Sequence, residues 1–153
     1  MKVFLNEPAE SYGEATTASR IGSIFSPSRN SSIYLSQPQY FPDKVAEMIR
    51  KLQRLKSLPP GWDSYSADAP SPVAVALAES FLVENYYLAN LFYFLAPGVK
   101  GEIMIEFKKG DKAAELYFLP DGANELILYD KDAAVMEGNL NDHFKNLIAF
   151  FNS

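Results

Sequence analysis

The 153-residue chain predicts an α+β fold: an antiparallel β-meander of about four strands, with two helices before it and one C-terminal helix. Three observations carry that expectation. Apolar residues recur at helical spacing between residues 43 and 95, and again after residue 141. Between them, residues 102–136 alternate or cluster in short runs separated by turn residues. Links this short join antiparallel neighbours, and helices at both ends of one sheet pack on one of its faces.

Residues 1–40 are read as an irregular or flexible arm, and residues 41–153 as a single α+β domain. Eight Ser precede Gln39, and apolar residues come only in small clusters such as Ile21, Ile24-Phe25 and Ile33-Tyr34-Leu35. A tail and an arm that orders on a partner or a second subunit both fit.

The first helix opens at Pro42-Asp43, with Asp43 expected to accept from the free amides of the first turn. Val45, Met48, Ile49, Leu52 and Leu55 make its apolar stripe. Arg50, Lys51 and Arg54 form a basic face beside Lys44, and Glu47 is spaced to pair with Lys51. Leu58-Pro59-Pro60-Gly61 ends it. Ser71-Pro72, a hydroxyl cap before a first-turn proline, starts the second helix. It carries Ala74, Leu77, Ala78, Phe81 and Leu82, and is expected to run on, apolar nearly all round, from Tyr86 to Leu95 until Ala96-Pro97-Gly98 closes it.

Four strands follow. Glu102 to Lys108 alternates with Ile103, Ile105 and Phe107 inward; Glu115 to Leu119 presents Leu116 and Phe118. Glu125 to Tyr129 is a third strand and Ala133 to Met136 a weaker fourth, with Lys109-Gly110-Asp111 and Pro120-Asp121-Gly122 as turns. Asn141 is expected to cap a last helix carrying Phe144, Leu147, Ile148 and Phe151.

Composition narrows the chemistry. The absence of Cys removes disulfides, thiolate metal sites and a cysteine nucleophile, and a single His removes multi-histidine metal sites. That residue, His143, follows the cap of the last helix with no Gly-x-Ser-x-Gly turn to serve, and neither a P-loop nor a dinucleotide glycine pattern occurs. No enzyme activity, cofactor or metal is expected. The net charge of −5 argues against nucleic acid as a partner. It is unevenly spread: residues 1–58 hold eight Lys/Arg against five Asp/Glu, a balance of +3, and the rest holds six against fourteen, −8. The apolar start Val3-Phe4-Leu5 is too short for a signal peptide core, and carboxylates at Glu79 and Glu84 argue against a membrane span from Val73 to Leu95. A cytoplasmic location, without membrane contact, is expected.

The segment Leu58-Pro59-Pro60-Gly61-Trp62-Asp63-Ser64-Tyr65-Ser66-Ala67 and the Pro70-Ser71 helix start, followed by Gly101-Glu102-Ile103-Met104-Ile105-Glu106-Phe107 and Pro120-Asp121-Gly122, resemble a widespread group of small bacterial proteins. Its shared pattern is Leu-Pro-x-Gly-Trp-Asp-x-Tyr-Gly-Ala with a Gly-x-Ile-x-Leu-Glu-Trp strand. The resemblance covers about residues 45–140, departing at Ser66 and Phe107, where the pattern has Gly and Trp. The group has no established activity. The resemblance implies a partner encoded beside it, as in toxin–antitoxin or immunity pairs.

Two sets of residues are candidate binding groups. Trp62, Asp63, Tyr65 and Asp68 set two carboxylates beside aromatic faces, as a sugar site or an acid–base pair requires. The bland reading makes Trp62 a core plug and Asp63 a cap of backbone amides. Glu102 and Glu106 share a strand face with Met104, and with Glu115 or Tyr117 across from them they give an acidic strip. That strip is read as a solvated sheet face, a cation site or a docking surface for a basic partner. Tyr86, Tyr87, Tyr93, Tyr117 and Tyr129 add aromatics of the kind favoured at interfaces. The leading expectation is a non-enzymatic protein–protein interaction module: an antitoxin-like, immunity-like or regulatory partner of another small protein. A carbohydrate or small-molecule domain built on the Trp62 loop and a self-assembling structural protein, a homo-oligomer, are the alternatives.

Overall fold

The structure is a computed structural model. It describes Phe41–Ser153, the second of the chain's two units; of residues 1–40 it describes only the two-residue strand segments Tyr12–Gly13 and Ala15–Thr16. The arm expected over residues 1–40 lies outside the described residues.

Helices α1 (Asp43–Leu55) and α2 (Pro72–Glu84) precede five strands, β1 (Phe92–Pro97), β2 (Ile103–Lys109), β3 (Lys112–Phe118), β4 (Asn124–Asp130) and β5 (Ala133–Gly138). Helix α3 (Leu140–Asn152) ends the chain. Each of these five strands pairs antiparallel with its sequence neighbour in the order β1-β2-β3-β4-β5. The fold is therefore α+β with a meander, as the short links require.

The sheet of Phe41–Ser153 has five strands, and the extra strand is a correction at the second helix. That helix stops at Glu84, eleven residues before the apolar run ends at Leu95. Asn85 takes a non-helical backbone (φ −117°, ψ 36°), and its amide nitrogen donates to the Phe81 carbonyl at 3.0 Å, closing the last turn with a side chain. A single 3₁₀ turn, Tyr86–Leu88, redirects the chain, and the aromatic run from Phe92 enters the sheet as β1. Phe92, Leu91 and Leu88 are buried there in the core that the longer helix was expected to reach.

Two caps also differ. The first helix is preceded by Pro42 with no side-chain cap, and Asp43 is its first helical residue. The last is capped by Asn139 rather than Asn141: the Asn139 carboxamide oxygen accepts from the Asp142 N–H at 2.8 Å, and its nitrogen donates to the Asp142 carboxylate at 2.8 Å. Ser71 caps α2 as its sequence implies, accepting from Val73 and Ala74.

All three helices pack on one face of the sheet. Val45, Met48, Leu52 and Leu55 from α1, Ala74, Ala78, Phe81 and Leu82 from α2, and Leu147 and Phe151 from α3 join one core with Ile103, Ile105, Phe107, Leu116, Phe118, Leu126 and Leu128. Phe81 centres it, with its ring centroid 5.9–6.3 Å from those of Phe92, Phe107 and Phe118. The β2–β3 hairpin ties down α3, because the Lys109 and Lys112 ammonium groups donate to the free carbonyls of Phe151 and Phe150 at 2.9 Å each.

Candidate functional site

Alternation fixes what the other face of the sheet displays. With Ile103, Ile105 and Phe107 buried, Met104, Glu106 and Lys108 must point the opposite way. The register then runs one row across all five strands. Phe94 on β1 faces Glu106, Glu106 faces Glu115, Glu115 faces Ile127, and Ile127 faces Glu137 on β5. The neighbouring row sets Ala96, Met104, Tyr117 and Glu125 side by side. No helix among the described residues covers this face.

The electrostatics of the face centre on Glu115. Its carboxylate oxygen Oε1 accepts from the Tyr117 hydroxyl at 2.5 Å and the Tyr129 hydroxyl at 3.4 Å. Partial burial, followed by the hydrogen bond to Glu115, holds the Tyr117 phenol well above the ordinary tyrosine range. Burial and the Glu115 charge raise Tyr129 in the same way. Glu106 is raised too, by burial first and by facing Glu115 second, with Lys108 opposing. The one ion pair among the described residues is Lys44–Glu47 at 3.3 Å, on α1. The carboxylates of the open face therefore have no cation at ion-pair distance there.

Glu102 stands apart from Glu106. It precedes β2, and its carboxylate accepts from the Lys100 N–H at 3.0 Å while its side chain folds over Gly98. It serves its own turn rather than the acidic row.

The basic helix face divides as well. Arg50 and Arg54 are exposed, whereas Lys51 places its ammonium 4.1 Å from the centroid of the Phe94 ring. Lys51 does not pair with Glu47, which Lys44 takes instead.

In the Trp62 loop the polar groups turn inward on the backbone. The Trp62 indole N–H donates to the Asp68 carbonyl at 3.0 Å, and the Gly61 N–H to the Ala67 carbonyl at 2.7 Å. One Asp63 carboxylate oxygen accepts from the N–H groups of Tyr65 and Ala67 at 2.9 and 3.2 Å. The Asp68 N–H and the Ser71 N–H fasten the loop to the carbonyls of Val99 and Gly101. Trp62 is half-buried and lies outside the core cluster, a correction to its expected role as a plug. Tyr65 projects into solvent, 87% exposed. The loop thus brings its four candidate residues together, with Asp63 and Trp62 spent on holding its shape.

His143 sits at a kink in the first turn of α3 with Nδ1 3.2 Å from the Asn146 carboxamide oxygen. No group of three or more metal-ligating side chains occurs among the described residues.

Protein-family models, curated proteins and solved structures were compared with the chain, and none matches it. The sequence places Glu102, Glu106 and Met104 on one strand face and makes a strip conditional on Glu115 or Tyr117 lying across; the register sets Glu115 opposite Glu106 and Tyr117 opposite Met104, and Glu102 drops out. Sequence reasoning missed Phe94, Ile127, Glu125 and Glu137. For Glu125 and Ile127 the period-2 pattern held the signal, since they alternate with Leu126 and Leu128.

Proposed function

We propose that this chain is a non-enzymatic protein–protein interaction module whose partner docks on the open face of the sheet. The single observation that carries the reading is the face itself. A five-stranded sheet buries one side under three helices and presents on the other a row of Phe94, Glu106, Glu115, Ile127 and Glu137 flanked by Met104 and two tyrosines. Apolar and aromatic side chains set among polar ones are what a docking surface offers. The loop chemistry favours the same reading over ligand binding at Trp62 and Asp63, because the indole N–H and one carboxylate oxygen are engaged by backbone. The resemblance to a bacterial group that implies a partner encoded alongside adds an antitoxin-like, immunity-like or regulatory role. A cytoplasmic location belongs to the same proposal; no helix among the described residues is long and apolar enough to cross a membrane.

The test is co-expression with the product of the adjacent gene, followed by light scattering on the purified material. The expected result is a stoichiometric complex that Ile127→Asp abolishes while the thermal unfolding curve of the chain stays in place. A complex indifferent to Ile127→Asp would move the interface elsewhere, and a chain that stays alone would overturn the module reading.

A further inference from the structure

Resting on that reading, we infer that the open face seats a basic amphipathic helix of the partner protein, its apolar stripe on Phe94, Met104 and Ile127 and its Lys or Arg side chains on Glu106, Glu115 and Glu137. The juxtaposition that carries this is the row that crosses the five strands, in which Phe94 and Ile127 flank the adjacent pair Glu106 and Glu115 and Glu137 follows.

Charge selects the class of partner. Glu106 and Glu115 are directly opposed, and like charges so placed disfavour each other. Neither has a cation at ion-pair distance among the described residues. A partner that brings cations removes this repulsion on docking; one that brings carboxylates or phosphates adds to it. The rim of the face already shows the preference, with the Lys51 ammonium over the Phe94 ring and the Lys108 ammonium 6.0 Å from the Tyr93 ring centroid.

Shape selects the element. The sheet has helices on one side, and a helix laid on the other completes a second covering layer. The row crosses the strands, and its four inter-strand gaps of about 4.8 Å make roughly 19 Å. A helix of about 13 residues, rising ~1.5 Å per residue, spans that length, and about 16 residues cover it with a little to spare. The exposed side of α1 in a second copy of this chain is a poorer match, because Asp43, Glu47, Arg50, Gln53 and Arg54 give it no apolar stripe.

The experiment uses the full chain and a fluorescently labelled 16-residue peptide with Leu at helical i, i+3, i+4, i+7 spacing and Lys elsewhere, read by anisotropy. Binding is expected to weaken at least tenfold from 50 to 500 mM NaCl. It should also weaken at least tenfold in the Glu106→Gln/Glu115→Gln variant, and not in Glu47→Gln/Glu84→Gln, which removes two carboxylates from helices α1 and α2. Ile127→Lys, which sets a cation among the carboxylates, gives a second test with the same readout should the double variant fold poorly.

Equal losses in the two Gln pairs, equal binding of a Glu-for-Lys peptide, or no binding at all would overturn the inference. So would a dimer of the chain that Ile127→Lys dissociates, since the occupant would then be a second copy. A co-expressed partner that docks on this face through an acidic or uncharged segment would end the basic-helix assignment while leaving the interaction module standing. Peptide binding by a chain that captures no adjacent-gene product would do the reverse.

Discussion

Glu106 and Glu115 face each other in register across β2 and β3, so that two carboxylates meet at the middle of the open sheet face. Burial and the Glu115 charge both raise the Glu106 carboxyl above its ordinary value. An acid whose pKa is raised on folding holds its proton more tightly in the folded chain. Its stabilising contribution is complete below the unfolded value and is lost as pH rises through the folded one. Glu106→Gln is therefore expected to stabilise the chain at pH 7 by about 0.5 kcal/mol, within the range for cross-strand charge pairs. The gain should shrink at pH 4. Urea midpoints at the two pH values decide it, and a variant no more stable than the parent at pH 7 would refute the repulsion.

Phe107 and Trp62 separate core from loop. Phe107 is fully buried, with ring contacts to Phe81, Phe92 and Phe151. Phe107→Ala is expected to cost about 3–5 kcal/mol through the cavity it leaves. Trp62 is half-buried outside that cluster, so Trp62→Ala removes mainly one hydrogen bond and part of an apolar surface, at about 1–2 kcal/mol. Paired denaturation curves check the order, and equal losses would place the indole in the core after all.

These two residues also show what a sequence discloses. Ile103, Ile105 and Phe107 are legible as an inner face because alternation reports burial on a single strand. Phe92, Tyr93, Phe94 and Leu95 are not, because the register slips between Phe92 and Phe94 and a bulge erases the period on an edge strand. The same four residues, uniformly apolar, match a buried helix equally well. The helix end at Asn85 depends on a side chain bonding to the Phe81 carbonyl, a choice that a lone Asn in an apolar run does not announce. Glu106 could be placed on a face from its own strand, but its opposition to Glu115 depends on hairpin register, which Gly110 and its neighbours set. Trp62 carries the most distinctive motif in the chain and gives the least away, because indole and carboxylate types suit a ligand site and a self-bonded loop alike.

Asp63 closes its loop with one oxygen that accepts two backbone N–H groups, and Ser64 beside it adopts φ +70°. Asp63→Ala leaves both donors without this partner and is expected to cost about 1–2 kcal/mol. Tyr65→Ser, at an 87% exposed position, should change stability by less than about 0.5 kcal/mol. Thermal melts of the two variants compare them directly. A neutral Asp63→Ala would free that carboxylate for a ligand.

The β4–β5 hairpin stores removable strain. Asp130 pairs with Ala133, leaving a two-residue link in which Lys131 and Asp132 both have positive φ, 51° and 67°. Turns of that kind match the twist of the flanking strands but favour Asn-Gly, since a side chain in the left-handed region costs roughly 1–2 kcal/mol per residue unless it is Gly, with Asn and Asp partly excused. Lys131 gains least from that exemption. Lys131→Asn with Asp132→Gly is expected to raise stability by about 1 kcal/mol, offset in part by the greater freedom of Gly in the unfolded chain. The exchange also removes one cation and one anion, so net charge is unchanged. A raised urea midpoint with an unchanged slope would confirm it. A lowered midpoint would show that the two native side chains make contacts worth more than the backbone strain they impose.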